Sequence, residues 1–432
     1  MVFYKILVPG KDIISILFVI VILIGTLVVS PTLTSIYSSE STSFANTSSQ
    51  KKTEEPETFT ISDKLKETIK STVQKKNQTN AAIVIGLVEP NGTQFYGYGN
   101  LSNANPTPVD KDTIFAIASI TKVFTTILLA DMANRGLVNL EDPIEKYLPP
   151  DVKVPTYNGQ KITLENLATH TSGLSEFGTH CMKDFDGFDT NIQNRLFFIE
   201  CSKNYTFEQL YLDLSNTTLT REPGSKYVYS TFGIGLLGHI LALKAGMSYD
   251  DLLKERILNV LGMNSTSFSL SEVQKSRLAI GHLNGQELPS WNLSRPIEPG
   301  GGLFSSMSDM LKFASSNLGL IDTKITKAMK DSHIIIKEVG SGPEAVYFHN
   351  TDTDYTPYVG LGWIIATDFG TQIVEKNGES IGGYNSLIAL NPAKDRGLVM
   401  IASTDVLDLG IAYYQYGAYD ELSTLIWDLL TN

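Results

Sequence analysis

Residues 13 to 29, IISILFVIVILIGTLVV, form an unbroken run of apolar and small side chains preceded by Lys5 and Lys11. Counted with its flanks, the run reaches the length of about 20 residues that a helix needs to cross a bilayer; the apolar part of a secretory signal is about 7 to 15 residues and ends at a small-x-small site. The sequence that follows, SPTLTSIYSS, is a poor cleavage site. Residues 1–30 are therefore expected to be one transmembrane helix, with a removed signal as the rival reading. The run has no polar face, which argues against a buried core helix. Lysines before the run, with only acids and Ser/Thr close behind it, place the bulk of the chain outside by the positive-inside rule. Residues 31–58, PTLTSIYSSESTSFANTSSQKKTEEPET, have almost no aliphatic side chains to bury and read as a Ser/Thr-rich tether.

A helical period begins after the tether. Ile61, Leu65, Ile69 and Val73 recur at three- and four-residue spacing with lysines between them, which predicts an amphipathic helix. AAIVIGLVE and TQFYGYGNL, either side of Pro90-Asn91-Gly92, predict a β-hairpin. A helix is predicted from Ser119 to Arg135, with Gly136 as its C′ residue. YDDLLKERILNVLGM and SMSDMLKFASSNLG read as helices of the middle region, and TQIVEKNGES, YNSLIALNP and GLVMIASTD as three successive antiparallel strands before the helix YDELSTLIWDLL. The fold class is mixed α/β (α+β): an antiparallel sheet formed from both termini, flanked by helices, with a mainly helical region inserted. Residues 59–432 are assigned to this folded part, although a length prior of about 150 residues per domain would allow two or three units.

Composition narrows the function classes. The chain has 34 basic and 46 acidic residues, a formal charge of −12 and no basic block, so nucleic acid is excluded as a partner. Its 42% hydrophobic content is ordinary for a globular protein, so any membrane contact must be local. Eight N-x-[ST] sequons, at Asn46, Asn77, Asn91, Asn100, Asn204, Asn216, Asn264 and Asn292, fit an exported chain. The six histidines and two cysteines show no His-x-x-x-His or Cys-x-x-Cys spacing, so no metal or other cofactor is implied. Cys181 and Cys201 allow either a disulfide closing the segment between them or two buried thiols.

Candidate chemistry centres on ASITKVFTT, where Ser119 stands three residues before Lys122. At a helix start the serine would meet unpaired N–H groups and the positive end of the dipole, with the lysine on the same face. A serine needs a base, and Lys122 serves only if burial and a neighbouring cation lower its pKa by several units. The spacing alone does not decide, since S-x-x-K recurs at Ser48 and Ser49 inside the tether, and a capping serine with a solvent-exposed lysine has the same spacing. Three further stretches add weight: EPGSKYVYSTFGIGLLGHIL with Tyr229, IEPGGGLFSSMSDMLKF with its glycine turn, and VEKNGESIGGYNSLIAL with Lys376, Asn377 and Gly378.

Taken in order with TIFAIASITKVFTTILLADMANRGLVNLEDPIEKYLP and ITLENLATHTSGL, these stretches resemble the serine hydrolases of the beta-lactamase-related family, close to class C beta-lactamases and D-aminopeptidase or esterase relatives, over residues 79 to 430. The resemblance implies a beta-lactamase/transpeptidase-like fold and acyl transfer from an ester, amide, peptide or lactam carbonyl to serine, followed by hydrolysis. It implies Ser119 as nucleophile, Lys122 as its proton partner and Tyr229 as the tyrosine of the Y-x-N element. Lys376, Asn377 and Gly378 then match K-T-G, and the N–H groups of Ser119 and Glu379 the oxyanion hole. Two lysines flanking Tyr229 are expected to favour its ionised form. Thr231 replaces the asparagine of Y-x-N, and Glu379 is expected to bring a carboxylate to the pocket edge, so neutral substrates should be preferred to penicillins.

Two rival readings remain. Gly378-Glu379-Ser380-Ile381-Gly382 matches G-x-S-x-G, but that motif needs a helix after the serine and a later histidine, whereas a strand is predicted there and the last histidine is His349. His170 in LATHTSGL reads as structural. The alternatives to an ester, amide or peptide hydrolase are a beta-lactamase or D,D-peptidase proper, or a penicillin-binding-like protein that kept the fold without turnover. The expected location is the outer face of a membrane, or the medium if residues 1–30 are removed.

Overall fold

The computed structural model describes residues 59–75, 81–180, 192–290, 292–339, 356–368, 371–404 and 421–431. The apolar run at 13–29 and the tether lie outside these residues. Among the described residues no single helix is long and apolar enough to cross a membrane.

The amphipathic helix forms as Asp63–Lys75 (α1), its Leu65, Ile69 and Val73 buried. The hairpin forms as Ile83–Glu89 (β1) and Gly92–Tyr98 (β2), joined in antiparallel register from Ile83↔Tyr98 to Glu89↔Gly92. A three-residue strand, Ile114–Ala116 (β3), precedes the helix Thr121–Asn134 (α2), which begins two residues later than its sequence predicts. The apolar helix Thr231–Ala245 (α3) follows the tyrosine motif and closes on Gly246 in the left-handed region. Phe304–Ser306 (β4) pairs with β3 and runs into Met307–Leu318 (α4), where Ser306 accepts the Asp309 N–H as N-cap.

The C-terminal part supplies most of the main sheet: Lys337–Glu338 (β5), Thr356–Val359 (β6), Ile364–Asp368 (β7), Thr371–Ser380 (β8), Tyr384–Asn391 (β9) and Arg396–Ala402 (β10), followed by the helix Glu421–Thr431 (α5). Their order is β2-β1-β10-β9-β8-β7-β6-β5, antiparallel throughout. β1 pairs with β10 from Ile83↔Ala402 to Val88↔Gly397, so the sheet is assembled from both ends of the chain as expected. It has eight strands rather than the five the pattern predicts; β5, β6 and β7 are only 2, 4 and 5 residues long.

Strand alternation sorts the side chains onto two faces. Ile83, Ile85, Leu387, Ala389, Leu398 and Met400 pack under α1 and α5. Val84, Val88, Ile388, Leu390, Val399 and Ile401 join the larger core with Met307, Met310 and Leu311 of α4 and Phe124 of α2. Phe124 stacks on Phe313 at 4.0 Å, tying α2 to α4. Val374 of β8 belongs to this larger core as well.

Candidate active site

Ser119 sits in a 3₁₀ turn, Ala118–Ile120, that runs straight into α2, so it precedes the helix rather than occupying its first turn. The Ile120 N–H donates to Ile117 O at 3.1 Å, and Ala118 takes a left-handed φ of 45°, a strained state for alanine that marks the turn as held from outside. The turn leaves Ser119 half-buried, whereas Lys122, one turn on, is 0% exposed.

That lysine is buried because α2 is clamped to the segment 298–303 at three successive polar positions. The Leu303 N–H donates to Thr121 Oγ1 at 3.1 Å, Lys122 Nζ to Gly300 O at 2.5 Å, and Thr125 Oγ1 to Pro299 O at 2.7 Å. Gly300 must lack a side chain, since a Cβ there would lie 2.8 Å from both Thr231 Cγ2 and Thr231 O. Thr231, at the start of α3, is thus buried against the turn that holds Lys122.

Lys122 Nζ lies 3.0 Å from Ser119 Oγ, and Tyr229 Oη donates to the same oxygen at 2.7 Å. The Tyr229 ring is flanked by both lysines, with Lys122 Nζ 4.8 Å and Lys376 Nζ 4.9 Å from its centroid. Lys376 comes from β8, where alternation puts Val374, Lys376 and Gly378 on the face toward α2 and Ile373, Glu375, Asn377 and Glu379 on the other. The register runs unbroken from Val374↔Leu390 to Ser380↔Tyr384, so no bulge shifts these residues. Period-two alternation sets the Glu379 side chain on the face of β8 opposite Lys376. Asn377 shares that face of the strand. Gly378 is where strand and serine turn touch: a Cβ on it would stand 2.8 Å from Ser119 N and from Ile117 O, and 2.6 Å from Ser386 Oγ. β7 pairs with β8 only from Asp368↔Thr371 to Ile364↔Glu375, so it stops short of the Lys376–Ser380 segment.

Burial, then the like charge of Lys376, hold the Lys122 pKa well below that of an ordinary lysine, and the Glu176 carboxylate pulls it part of the way back. Burial lowers Lys376 from 10.5 to about 8, with Glu375 opposing. The phenol of Tyr229 moves the other way from expectation. Its removal from water raises its pKa, the hydrogen bond to Ser119 only partly offsets this, and Glu176 raises it further, so the neutral phenol is the stable form. Glu176 itself is raised by burial and lowered by Lys122. The site thus holds a hydroxyl between an amine of depressed basicity and a neutral phenol, which is an arrangement that can move protons to and from Ser119 Oγ.

The sequence profile of the Beta-lactamase family matches residues 67–416. The chain belongs to the beta-lactamase family. It is 30% identical over 342 residues to the D-alanyl-D-alanine-carboxypeptidase/endopeptidase AmpH of Escherichia coli K12, an alignment covering 76% of this chain and 80% of that one. It is 25% identical to a beta-lactamase of Pseudomonas fluorescens over 78% of this chain and 93% of the other. The solved beta-lactamase/D-alanine carboxypeptidase of Yersinia pestis, in complex with citrate, superposes with a TM-score of 0.65 at 24% identity, covering 86% of this chain and all of that one. A class C beta-lactamase from Rhodobacter sphaeroides gives 0.63 at 23% identity and covers 86% of this chain and 99% of its own. These two likenesses show the fold, the mixed α/β architecture of the family. Members of the beta-lactamase family are serine hydrolases.

For a beta-lactamase-family chain the rival nucleophile is poorly built. Ser380 is 1% exposed, its Oγ accepts the Gly382 N–H at 3.0 Å, and a turn and strand follow it where the elbow motif needs a helix. His170 is 3% exposed, and its Nδ1 accepts the Ser230 N–H at 3.1 Å, so this nitrogen is engaged away from Ser119. Two features escaped the sequence reading. Glu176 lies in the loop after THTSGL, its main-chain oxygen accepting the Phe232 N–H at 2.9 Å, and only the geometry brings its charge near Lys122 and Tyr229. Gly300 O, the acceptor for Lys122, was visible only as a glycine turn. Cys201, on the helix Ile192–Lys203, is disulfide-bonded; Cys181, the chain's other cysteine, lies outside the described residues.

Proposed function

We propose that the protein hydrolyses an ester, amide or peptide through a covalent acyl intermediate on Ser119. The observation that carries this reading is the placement of Ser119 Oγ within 3.0 Å of a wholly buried Lys122 and 2.7 Å of Tyr229 Oη. With Lys122 neutral, its lone pair takes the serine proton as Oγ bonds to the acyl carbon. The carbonyl oxygen becomes an oxyanion, held by the N–H groups of Ser119 and Glu379. The bond to the leaving group then breaks as that group takes the phenolic proton of Tyr229, which the Lys122 ammonium replaces. Water attacks the acyl-serine through the same groups in reverse, and the carboxylic acid leaves with Ser119 restored. Lys376, positive below about pH 8, favours the developing negative charge throughout.

A narrower reading, hydrolysis beside a D-alanine residue or of a lactam, is supported by the names of the AmpH and beta-lactamase relatives. Thr231 in the place of asparagine, and the Glu176 charge near Lys122, weigh toward neutral esters, amides or peptides over penicillins, whose carboxylate seeks a cation. A location at the outer face of a membrane, through residues 13–29, is supported by the lysines before that run and by the disulfide at Cys201, since such bonds persist in oxidising compartments.

The test is acyl trapping. Mass spectrometry after a fluorophosphonate or a nitrophenyl ester should find the adduct on Ser119, and Ser119→Ala should lose all hydrolysis while its melting temperature stays nearly constant. Turnover retained in Ser119→Ala would end the reading, and an intact protein that takes no label would point to a binding protein. Initial rates on nitrocefin, short esters and D-amino-acid amides then rank the substrates.

A further inference from the structure

Tyr229 lies on a loop, outside regular structure, yet its oxygen must meet one serine oxygen at hydrogen-bond distance. The residues on either side of it are both bonded to a single partner. The Val228 N–H donates to the main-chain oxygen of His170 at 2.7 Å, and the Ser230 N–H donates to His170 Nδ1 at 3.1 Å. Between these two bonds the imidazole lies against the phenol, ring centroids 4.6 Å apart and tilted by 37°. Tyr227 also meets the imidazole edge-on, with ring centroids 5.6 Å apart. His170 holds this position with a left-handed φ of 57°, a conformation that histidine, asparagine and aspartate enter more readily than most side chains.

From this bracket we infer that His170 is the positioning residue of the site, aiming the Tyr229 hydroxyl at Ser119 Oγ. The inference rests on the reading that Tyr229 passes protons during acylation. His170 does not take part in the chemistry itself. Nδ1 accepts a main-chain N–H, which fixes the proton on Nε2. Burial and the two neighbouring lysines keep the ring neutral, so Nδ1 stays available as an acceptor. Losing the ring frees the 228–230 segment to shift, and a displacement of well under an ångström takes a 2.7 Å hydrogen bond out of its working range.

A double-mutant cycle on the pre-steady-state acylation rate of the full chain tests this, using a nitrophenyl ester. His170→Ala should slow acylation by about ten- to a hundredfold, a loss within the range that general acid/base catalysis supplies, with KM little changed. In a Tyr229→Phe background the same replacement should cost less than about threefold, because no hydroxyl remains to be aimed. Factors that simply multiply in the double variant would overturn the inference while leaving the acylation reading intact. A Tyr229→Phe protein with native acylation would overturn both. If His170→Ala fails to fold, His170→Asn takes its place in the cycle. Asparagine adopts the left-handed conformation and presents Oδ1 to the Ser230 N–H, so it should recover part of the rate. A His170→Asn variant no faster than an unfolded control, or as fast as native protein, would equally refute the role.

Discussion

Replacing Gly378 by alanine tests the contact between β8 and the serine turn. The new Cβ would stand 2.8 Å from Ser119 N, 2.8 Å from Ile117 O and 2.6 Å from Ser386 Oγ. Ordinary contact begins at 3.4 Å, and two of the three atoms are main chain, which no rotamer change can move. Strand and turn must therefore separate by about 0.6 Å, given the steepness of the repulsion below van der Waals contact. Overpacking of this kind lowers stability by about 1–3 kcal/mol. The catalytic loss should be larger. The displaced atom is an N–H proposed to hold the oxyanion, where donors work only at about 2.7–3.1 Å and removal of one lowers kcat by about 10²–10³. Stopped-flow acylation and thermal unfolding on the same samples should show a fall of that size beside a melting point lowered by only a few degrees. Adding Ser386→Ala removes one contact and leaves the two main-chain ones, so the double variant should remain slow. Gly86→Ala is the control: its Cβ would meet Leu311 Cδ2 and Met307 Sδ at 2.7 Å, both in flexible side chains and neither in the serine turn, so stability falls and acylation does not. Acylation by Gly378→Ala within a few-fold of native would refute this account of the site.

Raising pH should move activity and stability in opposite directions. Lys376 has a folded pKa of about 8 against 10.5 unfolded, so between these values the unfolded chain binds more protons and stability rises with pH, by on the order of 3 kcal/mol in full, while hydrolysis falls as the charge is lost; a melting temperature dropping across that window would contradict the assignment. Ser380→Ala strands the buried Gly382 N–H at a cost of about 1–3 kcal/mol but should keep native kcat, which a loss of turnover would disprove. Protease added to intact cells should release a soluble active domain by cutting within residues 31–58; a protected domain, or a mature N-terminus beyond Ser30, would reverse the proposed anchoring.

β9 and β10 were legible as apolar runs bounded by turn residues, and TQIVEKNGES, read as the strand before them, is reproduced residue for residue as β8. β6 and β7 were not, and neither was the β3–β4 pair, since three to five residues carry too little periodicity and Ile114 finds Ser306 only through the tertiary fold. Ser119 and Lys122 could be named from their spacing and context. The burial of Lys122 could not, because it depends on acceptors at Pro299 and Gly300 far along the chain. For Tyr229 the sequence pointed to a residue whose hydroxyl the fold sets 2.7 Å from Ser119 Oγ, but to the opposite charge state: two nearby cations suggest a phenolate, whereas loss of hydration raises the phenol's pKa once the ring is enclosed. The face occupied by Glu379 follows from period-two alternation and was available from the strand pattern alone.

The joining of β1 to β10 has a consequence for biosynthesis. Ala82 N donates to Ser403 Oγ across 321 positions, so the hairpin cannot find its partner strand until nearly the whole chain exists. At ribosomal rates of about 5–20 residues per second that wait is roughly 15–60 s. During it Ile83, Ile85 and Leu87 have no sheet to join, and Leu65 and Ile69 of α1 have little to cover. A nascent chain in this state needs shielding along both faces of the hairpin. One that ends before residue 396 leaves β1 without its neighbour, and would be cleared by proteases rather than persist as a shorter hydrolase.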